Sequence, residues 1–371
     1  AERGTATKEV VYVLERQGFI RPHMADENDK RTIYMVDMHE PLMFLHNLDT
    51  TIKEPFASNP AVLDAVEKNH KKLQIAMTKL YPGNLVLSLS SGIMYHRLVD
   101  RITALNDVPR EPLVPRRLGK NMCVPFGKIL RGKVVPNTVT KTLHTDKVYE
   151  PDLNSFTIEP FPYYSPLKSQ IETIKSFDRP VILVDDLVHT ANRLQVLVPQ
   201  LREDGIPIKK VVVGVLSGYG RDLMQCLKVP VESIYSMPNL RQWFVESTLY
   251  PFIGGDTVRR EEMKVAGLQP SINMILPYAT PRLSGCSREA LVEFSACCIE
   301  NSRDLFQVLE AEYRKMYAKN LTLSRLSEAV ILPLCPDKGS CMEYDENLAA
   351  SVYLENDLET LWRMKEFLIK G

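Results

Sequence analysis

Between positions 85 and 235 unbroken runs of Val, Leu and Ile alternate with segments of helical periodicity, and this alternation narrows the possible folds sharply. Strands are predicted at 85–89, 180–184, 211–216 and 231–235. Helices are predicted over 93–105, over 167–177, and from just after Asp186 to about Arg202, where Gly205 and Pro207 end the pattern. A short helix follows Ser217, Gly218, Tyr219 and Gly220. A strand that is apolar at every position has no solvent face, so it belongs inside a parallel sheet covered by helices on both sides. The expected class is therefore α/β, with a doubly wound, mainly parallel sheet. Ligands of such sheets bind at the carboxyl ends of the strands, which directs attention to the loops at Ser90, Asp185 and Ser217.

Composition bounds the function. The chain has 371 residues, 44% of them hydrophobic and 25% charged, which fits two globular domains and excludes a disordered, collagenous or coiled-coil chain. Its 46 Lys and Arg balance 46 Asp and Glu, so it lacks the electrostatic footprint of a nucleic-acid or anionic-membrane binder. Neither partner is expected, and any phosphate must be met locally. Seven cysteines without framework spacing read as free thiols in a reducing compartment. No apolar run approaches the length of a membrane span and no apolar leader lies near Ala1, so a cytoplasmic location is expected. The chain begins at Ala1 without Met, and its start is not read as a domain edge.

Three regions are expected along the chain: 1–45, 46–265 and 266–371. The first shows a helical pattern over 7–16, closed by Gly18 and Phe19, then strand-like residues from Ile20 and over 32–38. This small αββ segment resembles the closing third of a GNAT-type acetyltransferase and reads as the end or remnant of an upstream domain. Its Arg3-Gly4-Thr5-Ala6 run stands too close to Gly18 for that family's pyrophosphate loop. The middle region opens with a helix over 59–80, capped by Asn59 and stopped by Pro82 and Gly83. Its proline-rich stretch 108–164 is expected to form a flap or hood, with strands at 122–126 and 139–143. The last region is expected to be mainly helical, over 287–319, 323–330 and 356–370, and to pack on the sheet or form a subunit interface.

The stretch 181–194 carries the chemistry: four apolar strand residues, Asp185 and Asp186, two more apolar residues, then His189, Thr190, Ala191, Asn192 and Arg193 opening a helix. A strand end can deliver carboxylates to ribose hydroxyls. A turn at a helix N-terminus offers backbone N–H groups and the helix dipole to a phosphate. The stretch resembles the PRPP-binding motif of type I phosphoribosyltransferases, and the similarity extends over roughly positions 84–255. It implies that Asp185 and Asp186 hold the ribose hydroxyls and one aids proton transfer, while residues 189–193 take the 5′-phosphate. Ser90, Ser91 and Gly92 would then face the pyrophosphate, and Lys141 and His144 would close over it from the flap. Mg²⁺ would neutralise the departing pyrophosphate, with no residue assigned as its direct ligand. The implied ligand is a small phosphorylated ribose, PRPP or a nucleoside monophosphate, and a homodimer is expected. Aromatic residues in 241–244 and 250–252 fall where the base would be recognised.

The motif departs from the family at His189, Ala191 and Arg193, which stand where Thr, Gly and Thr are usual. Ala191 brings a Cβ to a position where the family's Gly permits positive φ, which would cost about 1 kcal/mol if the turn requires left-handed geometry. His189 and Arg193 exchange hydroxyl donors for larger, potentially cationic ones. Two readings of function follow: an enzyme transferring phosphoribose to a base or related acceptor, or a regulator that senses the ligand without turning it over. Bland readings stand beside them. Two acids after an apolar strand also serve as a helix N-cap cluster, and Trp243 and Phe252 also fit a core. Cys335 and Cys341 lack a second ligand pair, and Cys297 and Cys298 lie in a predicted helix, so no zinc site is expected from them.

Overall fold

The runs of Val, Leu and Ile become strands, and the periodic segments become helices, in a computed structural model that describes residues 20–24, 32–36, 40–130, 132–260, 264–281, 283, 285–338 and 343–370. In chain order the first strands are β1 (Ile20–Met24), β2 (Thr32–Val36), β3 (Leu42–His46), β4 (Val86–Ser90), β5 (Met122–Pro125), β6 (Val139–Thr140), β7 (Thr145–Tyr149) and β8 (Phe156–Pro160). The rest are β9 (Val181–Val188), β10 (Ile208–Ser217), β11 (Val231–Met237), β12 (Gln242–Val245), β13 (Asp256–Val258), β14 (Gln269–Ile272) and β15 (Leu334–Pro336). The helices are α1 (Pro60–Leu80), α2 (Ser91–Leu105), α3 (Leu167–Lys175), α4 (Asn192–Glu203), α5 (Gly218–Cys226), α6 (Glu246–Leu249), α7 (Arg288–Tyr317) and α8 (Ala350–Lys370). The helix expected over 7–16 lies outside the described residues.

Two compact units share the chain, each assembled from separated stretches. The first comprises Ala1–Pro41, Ser91–Asp146 and Ile158–Gln242; the second comprises Leu42–Ser90, Lys147–Thr157 and Trp243–Gly371.

The first unit is built on a seven-stranded sheet in the order β1-β2-β11-β10-β9-β5-β6. Only the β1–β2 pair is antiparallel. One face is sealed by Leu194, Leu197, Val198 and Leu201 of α4 with Ile171 and Ile174 of α3, packed on Val181, Leu183, Val211 and Val213. The other face receives α2, where Gly214 lets the strand and helix approach: a Cβ there would fall 2.0 Å from Met94 Sδ. Helices on both faces explain why β9 and β10 tolerate no polar alternation in their apolar halves. The two opening strands join this sheet, since β2 pairs with β11 in the register Tyr34↔Tyr235. Within the stretch 108–164, β5 lies between β9 and β6 and is buried at all four positions.

In the second unit β4 pairs in parallel with β3 along its length, in a three-stranded sheet of order β12-β3-β4. The strand expected at 85–89 thus forms, but its partner is the buried strand β3 and not a member of the larger sheet. A five-stranded sheet, β15-β14-β13-β7-β8, adds to this unit. Its core gathers Leu73, Met77 and Leu80 of α1 with Leu305, Phe306 and Leu309 of α7 and Leu354 and Leu361 of α8. Asn59 caps α1 through its side chain, as its Asn-Pro start predicts. The helix expected over 323–330 is a 3₁₀ turn, Leu323–Glu328, and the last helix begins earlier than predicted, at Ala350.

Among the described residues no helix is long and apolar enough to cross a membrane. The six described cysteines are free thiols, and Cys341 lies outside the described residues.

Candidate functional site

The strand that carries Asp185 and Asp186 is longer than its apolar run. β9 continues to Val188 because its ladder with β10 runs on to Val188↔Leu216. On its other side β5 ends sooner: the register stops at Pro125↔Val184, and the Phe126 N–H donates to the Val184 carbonyl at 3.0 Å. The acids therefore lie within the strand, at the point where it loses one neighbour. Each carboxylate is engaged locally. Asp185 Oδ1 accepts from the Asp186 N–H at 2.9 Å, and Asp186 Oδ1 accepts from the Leu187 N–H at 2.8 Å. Neither carboxylate caps α4, whose N-cap is Ala191 without a side-chain hydrogen bond. Gly127 backs this corner, since any Cβ there would collide with the Asp185 carboxylate.

Burial sets the electrostatics. Asp185 is 3% exposed. Burial pushes its carboxyl well above the ordinary range, the charge of Asp186 adds to this, and Arg193 opposes it. The Arg193 guanidinium stands 3.8 Å from Asp185 Oδ2, while its buried Nε has no hydrogen-bond partner. Arg193 thus faces the carboxylate with donor capacity to spare.

The turn from β9 into α4 passes through one residue of positive φ. Ala191 is left-handed, at φ 50° and ψ 21°, and its carbonyl accepts from the Gln195 N–H at 2.9 Å to start the helix. Thr190 is exposed; its hydroxyl accepts from Asn192 Nδ2 at 2.8 Å and its carbonyl from Gln195 Nε2 at 3.2 Å. His189 Nδ1 lies 2.8 Å from Ser217 Oγ, which caps α5 by accepting from the Gly220 N–H at 2.9 Å. The His189 and Tyr219 rings stand 5.8 Å apart, so the loops after β9 and β10 meet. Burial lowers the His189 pKa below its ordinary value. Burial thus disfavours the charged form of the ring.

The remaining predicted residues occupy other places. Ser90 ends β4 in the second unit, while Ser91 and Gly92 form the first turn of α2 in the first. Lys141 is exposed and continues the run of β6 beside β5, its N–H donating to the Cys123 carbonyl at 3.0 Å. His144 receives structural support: its N–H donates to Gln170 Oε1 at 2.7 Å, and its ring stacks on Tyr164 at 3.8 Å. Trp243 is partly exposed on β12, whereas Phe252 is part of the second unit's core. Gly127 acts through a contact that no local pattern reveals, whereas the loop at Ser217 is one that the strand pattern singled out. The second unit also brings together His46, His70 and Glu246, from three distant segments.

No protein-family model and no curated protein matches the chain. Among solved structures it is similar to a purine phosphoribosyltransferase from Pyrococcus horikoshii Ot3, at a TM-score of 0.25 and 14% identity, over 42% of this chain and 87% of that one.

Proposed function

We propose that the corner formed by Asp185, Asp186 and residues 189–193 binds a phosphorylated ribose, PRPP or a nucleoside monophosphate, and that phosphoribosyl transfer to a base or related acceptor is its reaction. The observation that carries this reading is the left-handed Ala191 turn at the uncapped N-terminus of α4, directly after two carboxylates that do not cap it. A simple N-cap cluster would spend those carboxylates on the first turn of the helix. Here the first turn remains available to an anion, and Arg193 has an unsatisfied donor beside it.

In this reading the N–H groups of the α4 first turn and Arg193 hold the 5′-phosphate. Asp185 and Asp186 accept from the ribose hydroxyls, and of the remaining candidates in the first unit Ser91 and Gly92 face the pyrophosphate while Lys141 and His144 close over it. The acceptor's nitrogen forms its bond to ribose C1 as the C1–O bond to pyrophosphate breaks. The protein's part is positioning, charge stabilisation and exclusion of water. Two adjacent carboxylates are hard oxygen donors suited to Mg²⁺. Asp185 and Asp186 would face the Mg²⁺ of a bound Mg²⁺–PRPP, where the cation would offset the developing charge of the leaving group.

A regulator that binds without turnover is the second reading, favoured by the approach of Arg193 to Asp185, which sets a cation against the ribose-binding acid. A pyrophosphate-release assay with Mg²⁺, PRPP and a panel of bases separates the two. Release that depends on a base supports transfer. Binding of PRPP with no release from any base leaves the regulator.

A further inference from the structure

The second unit holds a cluster that phosphoribosyl chemistry does not use. His46 ends β3, His70 lies on α1 and Glu246 opens α6. One carboxylate oxygen, Glu246 Oε2, faces two imidazoles, at 3.0 Å from His46 Nδ1 and 2.7 Å from His70 Nε2. The Glu246 side chain is 0% exposed, and those of His46 and His70 are 11% and 24% exposed. The three donor atoms lie within 4.8 Å of one another. His70 Nε2 is buried and, despite its closeness to Oε2, has no aligned hydrogen bond.

We propose that His46, His70 and Glu246 form a binding site for one divalent transition cation of the zinc class. Two imidazoles and a carboxylate are a zinc donor set, and three protein ligands leave a coordination position for water or an outside ligand. Bonds of about 2.0–2.1 Å at tetrahedral angles set such donors about 3.3 Å apart. The two distances to Glu246 Oε2, 3.0 and 2.7 Å, need to open by only a few tenths of an ångström, and the two imidazole nitrogens stand within 4.8 Å of each other.

The surroundings are those of a held ligand set. Glu246 Oε1 accepts from the Tyr250 hydroxyl at 3.1 Å, which leaves Oε2 for the cation, and Tyr250 in turn accepts from Asn301 Nδ2 at 2.9 Å. The far nitrogen of His46, Nε2, contacts Ser88 Oγ, which also accepts from Gln74 Nε2 at 2.8 Å. Such a partner on the second ring nitrogen orients a metal-binding imidazole. Asn47 and Ser247 lock the two segments together: Asn47 Nδ2 donates to Ser247 Oγ at 2.8 Å, and the Ser247 N–H donates to Asn47 Oδ1 at 2.9 Å. A serine–histidine–glutamate relay would use Ser88, His46 and Glu246 but give His70 Nε2 no role. A cation gives all three inward-facing atoms one.

The test uses the full chain, stripped by a chelator and titrated with Zn²⁺ against a chromophoric competitor, with unfolding followed in parallel. One equivalent of Zn²⁺ per chain is expected, with a rise in the unfolding midpoint. Titration with Co²⁺ should give the intense visible bands of a four- or five-coordinate site. His70→Ala, at the most accessible of the three ligands, should weaken Zn²⁺ binding about 100-fold or more, since even outer partners of such ligands contribute about 10- to 100-fold. A folded wild-type chain that takes up no stoichiometric Zn²⁺ overturns the proposal. So does a His70→Ala variant with unchanged affinity. Should that variant not fold, the Co²⁺ spectrum of the wild-type chain decides: bands of an octahedral aquo ion reject the site.

Discussion

Gly127 and Asp185 occupy one space: a Cβ on Gly127 would lie 1.5 Å from Asp185 Oδ1. The glycine is required by this approach and not by its backbone angles. Gly127→Ala must push the carboxylate out of its corner. The expected result is a stability loss of about 1–3 kcal/mol from overpacking, together with loss of PRPP binding, read by denaturant titration and calorimetry.

Asp185 should make stability depend on pH in an unusual direction. Its carboxyl is raised well above the ordinary 3.8, mainly by burial. Folding therefore favours the protonated form. That contribution is fully present below about pH 3.8 and is lost as pH rises through the raised folded-state value. Asp185→Asn keeps an acceptor for the Asp186 N–H but cannot ionise. Relative to wild type its stability should improve steadily from about pH 4 upward until the folded-state pKa is passed, while PRPP affinity falls. A stability difference that is flat with pH would remove the burial argument.

Ala191 carries strain that glycine would relieve. A left-handed L-residue costs about 1–2 kcal/mol, and the greater freedom of glycine in the unfolded chain takes back about 0.5–1 kcal/mol. Ala191→Gly should therefore stabilise the protein by up to about 1.5 kcal/mol and leave phosphate binding intact. Thermal unfolding with and without ligand checks both.

In the second unit, buried Asn69 and Asn301 join α1 to α7 reciprocally. Asn69 Nδ2 donates to the Asn301 carbonyl at 2.7 Å, and Asn301 Nδ2 donates to the Asn69 carbonyl at 3.1 Å. Asn69→Ala removes one of the two bonds and leaves a void in a buried region. A loss of about 2–3 kcal/mol is expected, from the unmet acceptor and the void together. Circular dichroism melts would show it as a lowered midpoint.

The first unit's sheet was the most legible part of the chain, for a physical reason. Strands buried on both faces must be apolar throughout, so Val181–Val184 and Val211–Leu216 announce themselves. Partner choice between strands leaves no such mark. Nothing local in residues 85–89 distinguishes pairing with β9 from pairing with β3, and Leu42–Leu45 is a four-residue apolar run, ended by His46, among prolines and polar residues. A reading along the chain also draws boundaries between successive stretches, whereas the two units exchange them. Asp185 and Asp186 stood out as chemistry because they interrupt an apolar strand. His46, His70 and Glu246 had no spacing to betray them, because a strand end, a helix face and a short helix converge only in three dimensions.

The central claim is that the corner at Asp185 and residues 189–193 binds a phosphorylated ribose, and calorimetry with PRPP and nucleoside monophosphates, each with and without Mg²⁺, tests it most directly. The account predicts saturable binding of at least one of these ligands at one site per chain. It also predicts weakening by about 10- to 100-fold in Arg193→Ala, the loss expected when a hydrogen bond to a charged group is removed. A folded wild-type chain that binds none of these ligands under either condition would contradict it.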